Sequence, residues 1–467
     1  MKNLSSLAKR FALFLPLTLP FWFLRELPPI HIEQPHLILQ LILYIYLIPI
    51  LLDLIAGANH DNTHSDLGWT AKAPEYRTLV RALAVKVLLL KGAMFYLLFS
   101  QDFNAADALA LAFLTGQTAA AYGIVVAHEL VHRKSRIDQF LAEMVMVSVQ
   151  YPQFCIEHVY GHHKHMATRL DPATARFGQS IYAFLPRTLA GGLVSAWGYE
   201  VRRLHKQGRG WLSVRNRMLR YLVEVIALNG AVYYFLGVLG VAALLLQSAV
   251  AVISFEVINY MQHYGLERKE KAPGIFESPS AAHSWSTESR FSNTYWLNLG
   301  RHSDHHSAVG REFQVLRHLP EEPTLPAGLA AMFWIALIPP LWFRIMNPRV
   351  EAWRRRNNIP PQHAQAAAAQ SGEDERRSDV SGITGRPENR QAENVLKNRR
   401  RFATSSRYAV LTRVGAYLFF GAIALLIAFD IYMGLPWGLV ALCILCVAVV
   451  AIRGNAVADD LGQPVNR

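Results

Sequence analysis

Cysteine is scarce, with three in 467 residues, too few for a disulfide framework. Cys443 and Cys446 form a C-x-x-C, but it lies inside an apolar run and has no second pair, which excludes an iron–tetrathiolate site or a zinc ribbon. Free cysteines of this kind behave as small buried residues. Acidic residues are also few, 34 Asp and Glu against 47 Lys and Arg, for a formal net charge of +13. An excess of that size can serve nucleic acid, but its placement speaks against that use. The basic residues collect in the amino terminus, in 133–219, in 264–317 and in 344–407, whereas 26–35, 101–106 and 237–240 hold no Lys or Arg. By the positive-inside rule, both termini and every long segment face the cytoplasm and three short turns face outward. The charge reports topology, no nucleic acid is implied, and anionic lipid or an acidic soluble partner remains a secondary use.

Hydrophobic residues make up 52% of the chain and fall in long runs: His36 to Ala58, Leu79 to Phe99, Asp107 to Ala127, Leu222 to Leu239 and Val241 to Tyr260. Each approaches the roughly 20 residues a helix needs to cross the hydrocarbon core. Phe11 to Leu24, which follows Lys9 and Arg10, resembles a signal peptide; without a small-residue cleavage site it reads as a first, uncleaved helix. The expected fold is therefore all-α, a polytopic membrane helix bundle with cytoplasmic His-rich segments at 128–219 and 264–327. Leu329 to Trp342 ends at Pro339 and Pro340 and reads as re-entrant or interfacial.

Residues 1–348 read as one unit, the membrane core. From 353 to 407 large apolar residues are few, so this stretch is expected to be a disordered basic linker. Residues 408–452 carry two more apolar runs, expected to form a two-helix membrane hairpin without evident chemistry.

Among eighteen histidines, nine stand in four groups: His128 and His132; His158, His162 and His163; His263; and His302, His305 and His306. Residues three and four apart share a helix face, so His128/His132, His158/His162 and His302/His305/His306 are each expected to aim at one point. The topology brings all four groups to one depth, just inside the cytoplasmic surface. A lone histidine is usually a satisfied core residue, but nine clustered imidazoles point to metal. Imidazole suits Zn, Cu, Fe and Ni; nine ligands exceed what one metal takes and fit two redox-active ions, with iron the most available.

His128-Glu129-Leu130-Val131-His132 also matches H-E-x-x-H, the zinc protease signature with Glu as general base. A protease needs a single further ligand, which would leave the other clustered histidines without a purpose.

Four segments, 128–134, 157–163, 259–265 and 301–306, reading HELVHRK, EHVYGHH, NYMQHYG and RHSDHH, resemble in order and spacing the signature boxes of the alkane 1-monooxygenase family. That family belongs to the membrane fatty-acid desaturase and hydroxylase superfamily, and the similarity covers about residues 36–350. The resemblance implies a six-helix core and a non-haem di-iron centre held by His128, His132, His158, His162, His163, His263, His302, His305 and His306. It further implies O2 as co-substrate, hydroxylation of a terminal methyl group and electrons from a separate rubredoxin and its reductase. A location in the bacterial inner membrane with a cytoplasmic active site follows. The sequence departs from the family pattern at Gln262, at Gly300 and at 307–310, which read SAVG; these positions flank ligands and bear on substrate choice.

Metal-bound histidine usually donates its outer ring nitrogen to a carboxylate or carbonyl, which makes Glu129, Glu157, Asp171 and Asp304 candidates for that role. At 3.6 residues per turn the His128 face runs back through Ile124, Ala121, Gln117 and Phe113, and the His263 face through Asn259, Glu256, Val252 and Ser248. These two faces are expected to bound a channel for a hydrophobic small-molecule substrate. Glu256 lies about 10 Å along its helix from His263, inside the membrane. A pair with Lys86 or Lys91 is the expected explanation, and proton delivery the alternative. Alkane or alkyl-chain hydroxylase, hydroxylase of an aromatic or terpenoid methyl group, and acyl desaturase remain open.

Overall fold

The computed structural model describes residues 49–60, 62, 74–101 and 103–359. The expected first helix at 11–24, most of the run 36–58, the linker beyond 359 and the hairpin at 408–452 lie outside the described residues.

Helix α1, Pro74–Ser100, and helix α2, Ala105–Val131, form the first described hairpin. The turn between them ends at Asn104, whose side chain caps α2 by accepting from the Asp107 amide at 3.0 Å. The two out-of-place lysines of α1 are both buried. Lys91 donates to the Ser148 carbonyl, and the Lys86 ammonium sits 4.8 Å from the centre of the Tyr122 ring.

Three helices follow on the same side as the end of α2: α3 at Arg136–Ser148, α4 at 154–165 and α5 at Ile181–His205. Helix α6, Arg217–His263, is capped by Asn216 and interrupted at Gly237, where φ is +63°, a left-handed value glycine adopts without strain. The chain reverses there. Asn229 donates to the Gln150 side chain at 3.0 Å and Gln150 donates to Ser248 at 3.3 Å. A continuous helix would hold Asn229 and Ser248 about 28 Å apart. The short turn expected at 237–240 is therefore real.

A two-stranded hairpin, β1 at Glu270–Ala272 and β2 at Ile275–Phe276, leads to the short helices α7, Arg290–Tyr295, and α8, His302–Ser307. Helix α9, Leu329–Ala336, then meets α10, Pro339–Arg356, at 119°. Pro339 and Pro340 open α10, where a missing amide hydrogen costs least. The apolar stretch 329–342 is thus broken rather than continuous. Helix α10 also corrects the expected boundary at 348–353: it continues to Arg356, with Trp353 and Arg354 buried and Arg354 bonded to Glu267 at 2.8 Å.

Among the described residues three helices, α1, α2 and α6, are long and apolar enough to cross a membrane, and α9 with α10 could form a bent fourth. Two apolar clusters hold the bundle. One packs Leu79, Leu83 and Val87 of α1 against Ile124, Val126, Val145 and Phe255. The other joins Tyr260, Tyr264, Phe184 and Trp342 with the apolar face of α9.

Candidate metal centre

The ends of α2, α4, α6 and α8 meet at one place, and the nine histidines fill it. They separate into a group of five, His128, His132, His158, His163 and His305, and a group of four, His162, His263, His302 and His306. In the first, Nε2 atoms of His132 and His158 approach to 3.1 Å, of His158 and His163 to 3.0 Å, and of His163 and His305 to 3.1 Å. In the second, His302 Nε2 lies 3.1 Å from His263 Nε2 and 3.0 Å from His306 Nε2. Nitrogens about 2.1 Å from one metal stand at such separations, so each group is shaped for one ion. His128 Nε2 and His162 Nε2 are buried without a hydrogen-bond partner among the described atoms, as expected of donors aimed at a metal.

The grouping corrects the expectation of one shared point per segment. Residues 158–162 form a π turn closed by the His163 amide on the His158 carbonyl. This wider turn pairs His158 with His163, five positions on, and sends His162 to the other group. In α8, His302 and His306 are one turn apart and act together, while His305 faces the group of five. Helix α2 runs on to Val131, one turn beyond the apolar run that ends at Ala127, and so carries His128 within it.

Burial, followed by neighbouring imidazoles, pushes His158, His163, His302, His305 and His306 well below the ordinary histidine value, and brings His132 to about 4. They are neutral near pH 7, the form that binds metal. His162 differs. Burial opposes its charge, but Asp171, with Oδ2 2.9 Å from His162 Nδ1, outweighs burial and holds the histidine above its ordinary value.

Asp171 is thus the one of the four candidate carboxylates seen bonded to a histidine. Thr174 and the Ala173 amide fix it from behind. Glu129 accepts from Arg133 Nη2 at 2.9 Å and from the Phe313 amide at 3.4 Å, a structural bridge rather than the position of a protease base. Asp304 is held by Arg311 and by the Arg317 amide and guanidinium. Glu157 is buried beside His158, and burial, then the Asp171 charge, push its carboxyl up to about 8.

An apolar cavity is lined by Gln117, Ala120, Ala121 and Val125 of α2, by Ser254, Phe255 and Ile258 of α6, and by Tyr295, Trp296, Leu299, Leu329, Ala330 and Phe333. A smaller recess continues from Val125 and Leu299 to His128, His302 and His305. Gln117 and Ala121 therefore line the cavity, whereas Phe113, Ile124, Ser248, Val252, Glu256 and Asn259 do not. Two physical causes explain the difference. Residues 119–124 form a second π turn, which breaks the 3.6-residue projection and turns Ile124 into the core against α1. On α6 the face below His263 points toward α4 and α5: Asn259 and Glu256 border a small polar recess with Tyr151 and Thr188, Val252 packs in the core, and Ser248 bonds Gln150 and Gln247.

Glu256 accepts from Tyr151 at 3.0 Å, from Thr188 at 2.9 Å and from Asn259 at 3.3 Å. The expected pair with Lys86 or Lys91 is not formed. Tyr295, Trp296 and the walls from α9 escaped the sequence reading. The available signal was the apolar run at 329–336, too short to cross alone and broken before Pro339.

A bundle with membrane-crossing helices that hold nine convergent imidazoles at one end is an integral-membrane histidine-cluster metalloprotein. Residues 106–346 match the fatty acid desaturase family. Alkane 1-monooxygenase 2 of Alcanivorax borkumensis is 36% identical over 313 residues, covering 66% of this chain and 81% of that protein. Alkane 1-monooxygenase 1 of Pseudomonas aeruginosa is 41% identical over 238 residues, covering 51% and 62%. The xylene/toluene monooxygenase hydroxylase component of Pseudomonas putida is 30% identical over 266 residues, covering 56% and 68%. The chain belongs to the fatty acid desaturase family, among the alkane 1-monooxygenases, and is an oxidoreductase.

Proposed function

We propose that this chain is a di-iron monooxygenase that hydroxylates the terminal methyl group of an alkane or alkyl chain. The reading rests on one observation: two separate sets of Nε2 donors, five and four, lie beside an apolar cavity whose neighbouring recess is lined by His128, His302 and His305. With one iron in each set, the metals would supply O2 activation, with two electrons and two protons taking one oxygen atom to water and leaving the other on carbon.

The remaining tasks fall to the chain. Asp171 fixes the tautomer of His162, leaving its Nε2 free to bind. Ala120, Ala121, Phe255, Ile258 and Phe333 exclude water and steer an unbranched chain end-on toward the recess at His128 and His305. Electrons come from a separate acidic donor of the rubredoxin kind. A wide polar cavity lined by Arg169, Arg176, Arg187, Arg268 and Lys269 reaches Asp171 and gives such a partner a basic place to dock. The location is the bacterial inner membrane, with the centre and both termini on the cytoplasmic side, as the placement of Lys and Arg implies.

A second reading, hydroxylation of a methyl group on an aromatic ring, is favoured by the Tyr295, Trp296, Phe255 and Phe333 walls. Whole cells expressing the chain with a rubredoxin and reductase, fed n-alkanes of several lengths, p-cymene and xylene, decide between the two. Primary alcohols from the alkanes are expected; oxidation of the aromatic methyl alone would overturn the alkane assignment.

A further inference from the structure

Outside the nine-histidine centre, three more potential ligands converge at the surface. We infer that His60, Glu288 and His318 form a third, mononuclear site for a divalent metal of the zinc class.

Their donor atoms all lie within 4.8 Å of one another. His60 Nδ1 stands 3.2 Å from His318 Nε2, close to the spacing between nitrogens within the buried histidine groups, and the two rings meet edge-on at 74°. A Glu288 carboxylate oxygen completes the set; its Oε2 also lies 3.7 Å from His60 Nε2, the ring nitrogen turned away from His318. His318 is oriented from behind: its Nδ1 lies 2.8 Å from Glu322 Oε1, and Glu322, nearly fully buried, also accepts from the Ser286 hydroxyl at 3.0 Å. A carboxylate on the outer nitrogen fixes the tautomer and turns the Nε2 lone pair toward the metal position.

The backbone is shaped around the cluster. The Asn59 amide donates to the Glu288 carbonyl at 2.8 Å, and Asn62 bonds both the amide and the carbonyl of His318 at 2.8 Å. Three segments distant in sequence are thereby held in place before any metal binds. Two imidazoles and one carboxylate suit zinc in a site that keeps a fourth position for water, and the exposure of His60 gives entry. Bound there, the ion would clip the segment at 58–62 to the loop at 316–322. Leu316 of that loop accepts from Arg301, the residue before His302, at 2.7 Å.

The site is independent of the proposed activity, and its test reads metal rather than turnover. Full-length, iron-loaded protein in detergent is dialysed against micromolar ZnCl2, and zinc and iron are counted in the same samples. The expected result is one zinc per chain above the iron, with affinity at least tenfold weaker in His60→Ala and in Glu288→Gln and with iron content unchanged. Glu322→Gln should weaken zinc roughly 10–100-fold, as loss of such an orienting partner does elsewhere. No zinc above the iron, or equal zinc uptake by wild type and His60→Ala, would overturn the site.

Discussion

Asp171 Oδ2 lies 2.9 Å from His162 Nδ1, on the outer nitrogen of a clustered histidine, whereas Glu129 and Asp304 are bonded to arginines. Replacement by Asn keeps a hydrogen bond but loses the charge that sustains ligand basicity. Asp171→Asn should lower metal affinity at the group of four roughly 10–100-fold while the group of five keeps its metal. Iron per chain, titrated against a competing chelator, checks this. Equal retention at both groups would contradict the role.

Glu200 is buried and bonds Arg203 and Arg217, at 2.6 and 2.8 Å by the closest contacts. Burial raises its pKa, but hydrogen bonds from the two arginines outweigh that and bring it to about 2, below the ordinary 4.5. A depressed carboxylate adds stability that is complete above the unfolded value and is lost as pH falls from 4.5 toward 2. Glu200→Gln should therefore cost about 1–3 kcal/mol at pH 7, with the gap to wild type closing below about pH 4. Thermal unfolding across that range gives the answer; a gap independent of pH would show that the ion pairs contribute nothing.

Ala121 lies in the wall of the apolar cavity, with Phe255 and Ile258 among the residues across it. A phenyl ring in its place would fill the passage without touching a metal ligand. Ala121→Phe should shift products toward shorter alkanes at unchanged iron content, read by gas chromatography of whole-cell products. An unaltered chain-length profile would place the substrate elsewhere.

Glu256 and Tyr151 form a direct buried hydrogen bond, whereas Lys91 spends its ammonium on the Ser148 carbonyl. A double-mutant cycle on Glu256→Gln and Tyr151→Phe should show about 0.5–3 kcal/mol of coupling. The same cycle with Lys91→Met should lie within about 0.5 kcal/mol of additivity. Coupling to the lysine instead would restore the ion pair that the sequence suggested.

The convergence of the nine histidines was legible because residue type and short spacing mark such clusters, and the apolar runs brought them to one level. The division into five and four was not, because it depends on the π turn at 158–162, which no residue in His158-Val-Tyr-Gly-His162 announces. The π turn at 119–124 likewise upset the 3.6-residue projection: Ala121 and Gln117 line the apolar cavity, while Ile124 packs in the core. The partner of Glu256 was misjudged for a different reason. Charge suggested a lysine, but a buried carboxylate can be satisfied by hydroxyl and amide donors from the turn before α4, from α5 and from its own helix, and those contacts depend on packing alone. The break before α10 was readable from Pro339 and Pro340, while the extension of that helix to Arg356 rests on the burial of Trp353 and Arg354 within a basic stretch that resembled a linker.

In the proposed enzyme the two histidine groups each hold one iron. Iron counted per chain in purified full-length protein, beside His305→Ala and His306→Ala, tests it most directly. Two iron ions are expected in the wild type and about one in each variant, lost from the group of five in the first and from the group of four in the second. A single iron in the wild type, or zinc in its place, would contradict it.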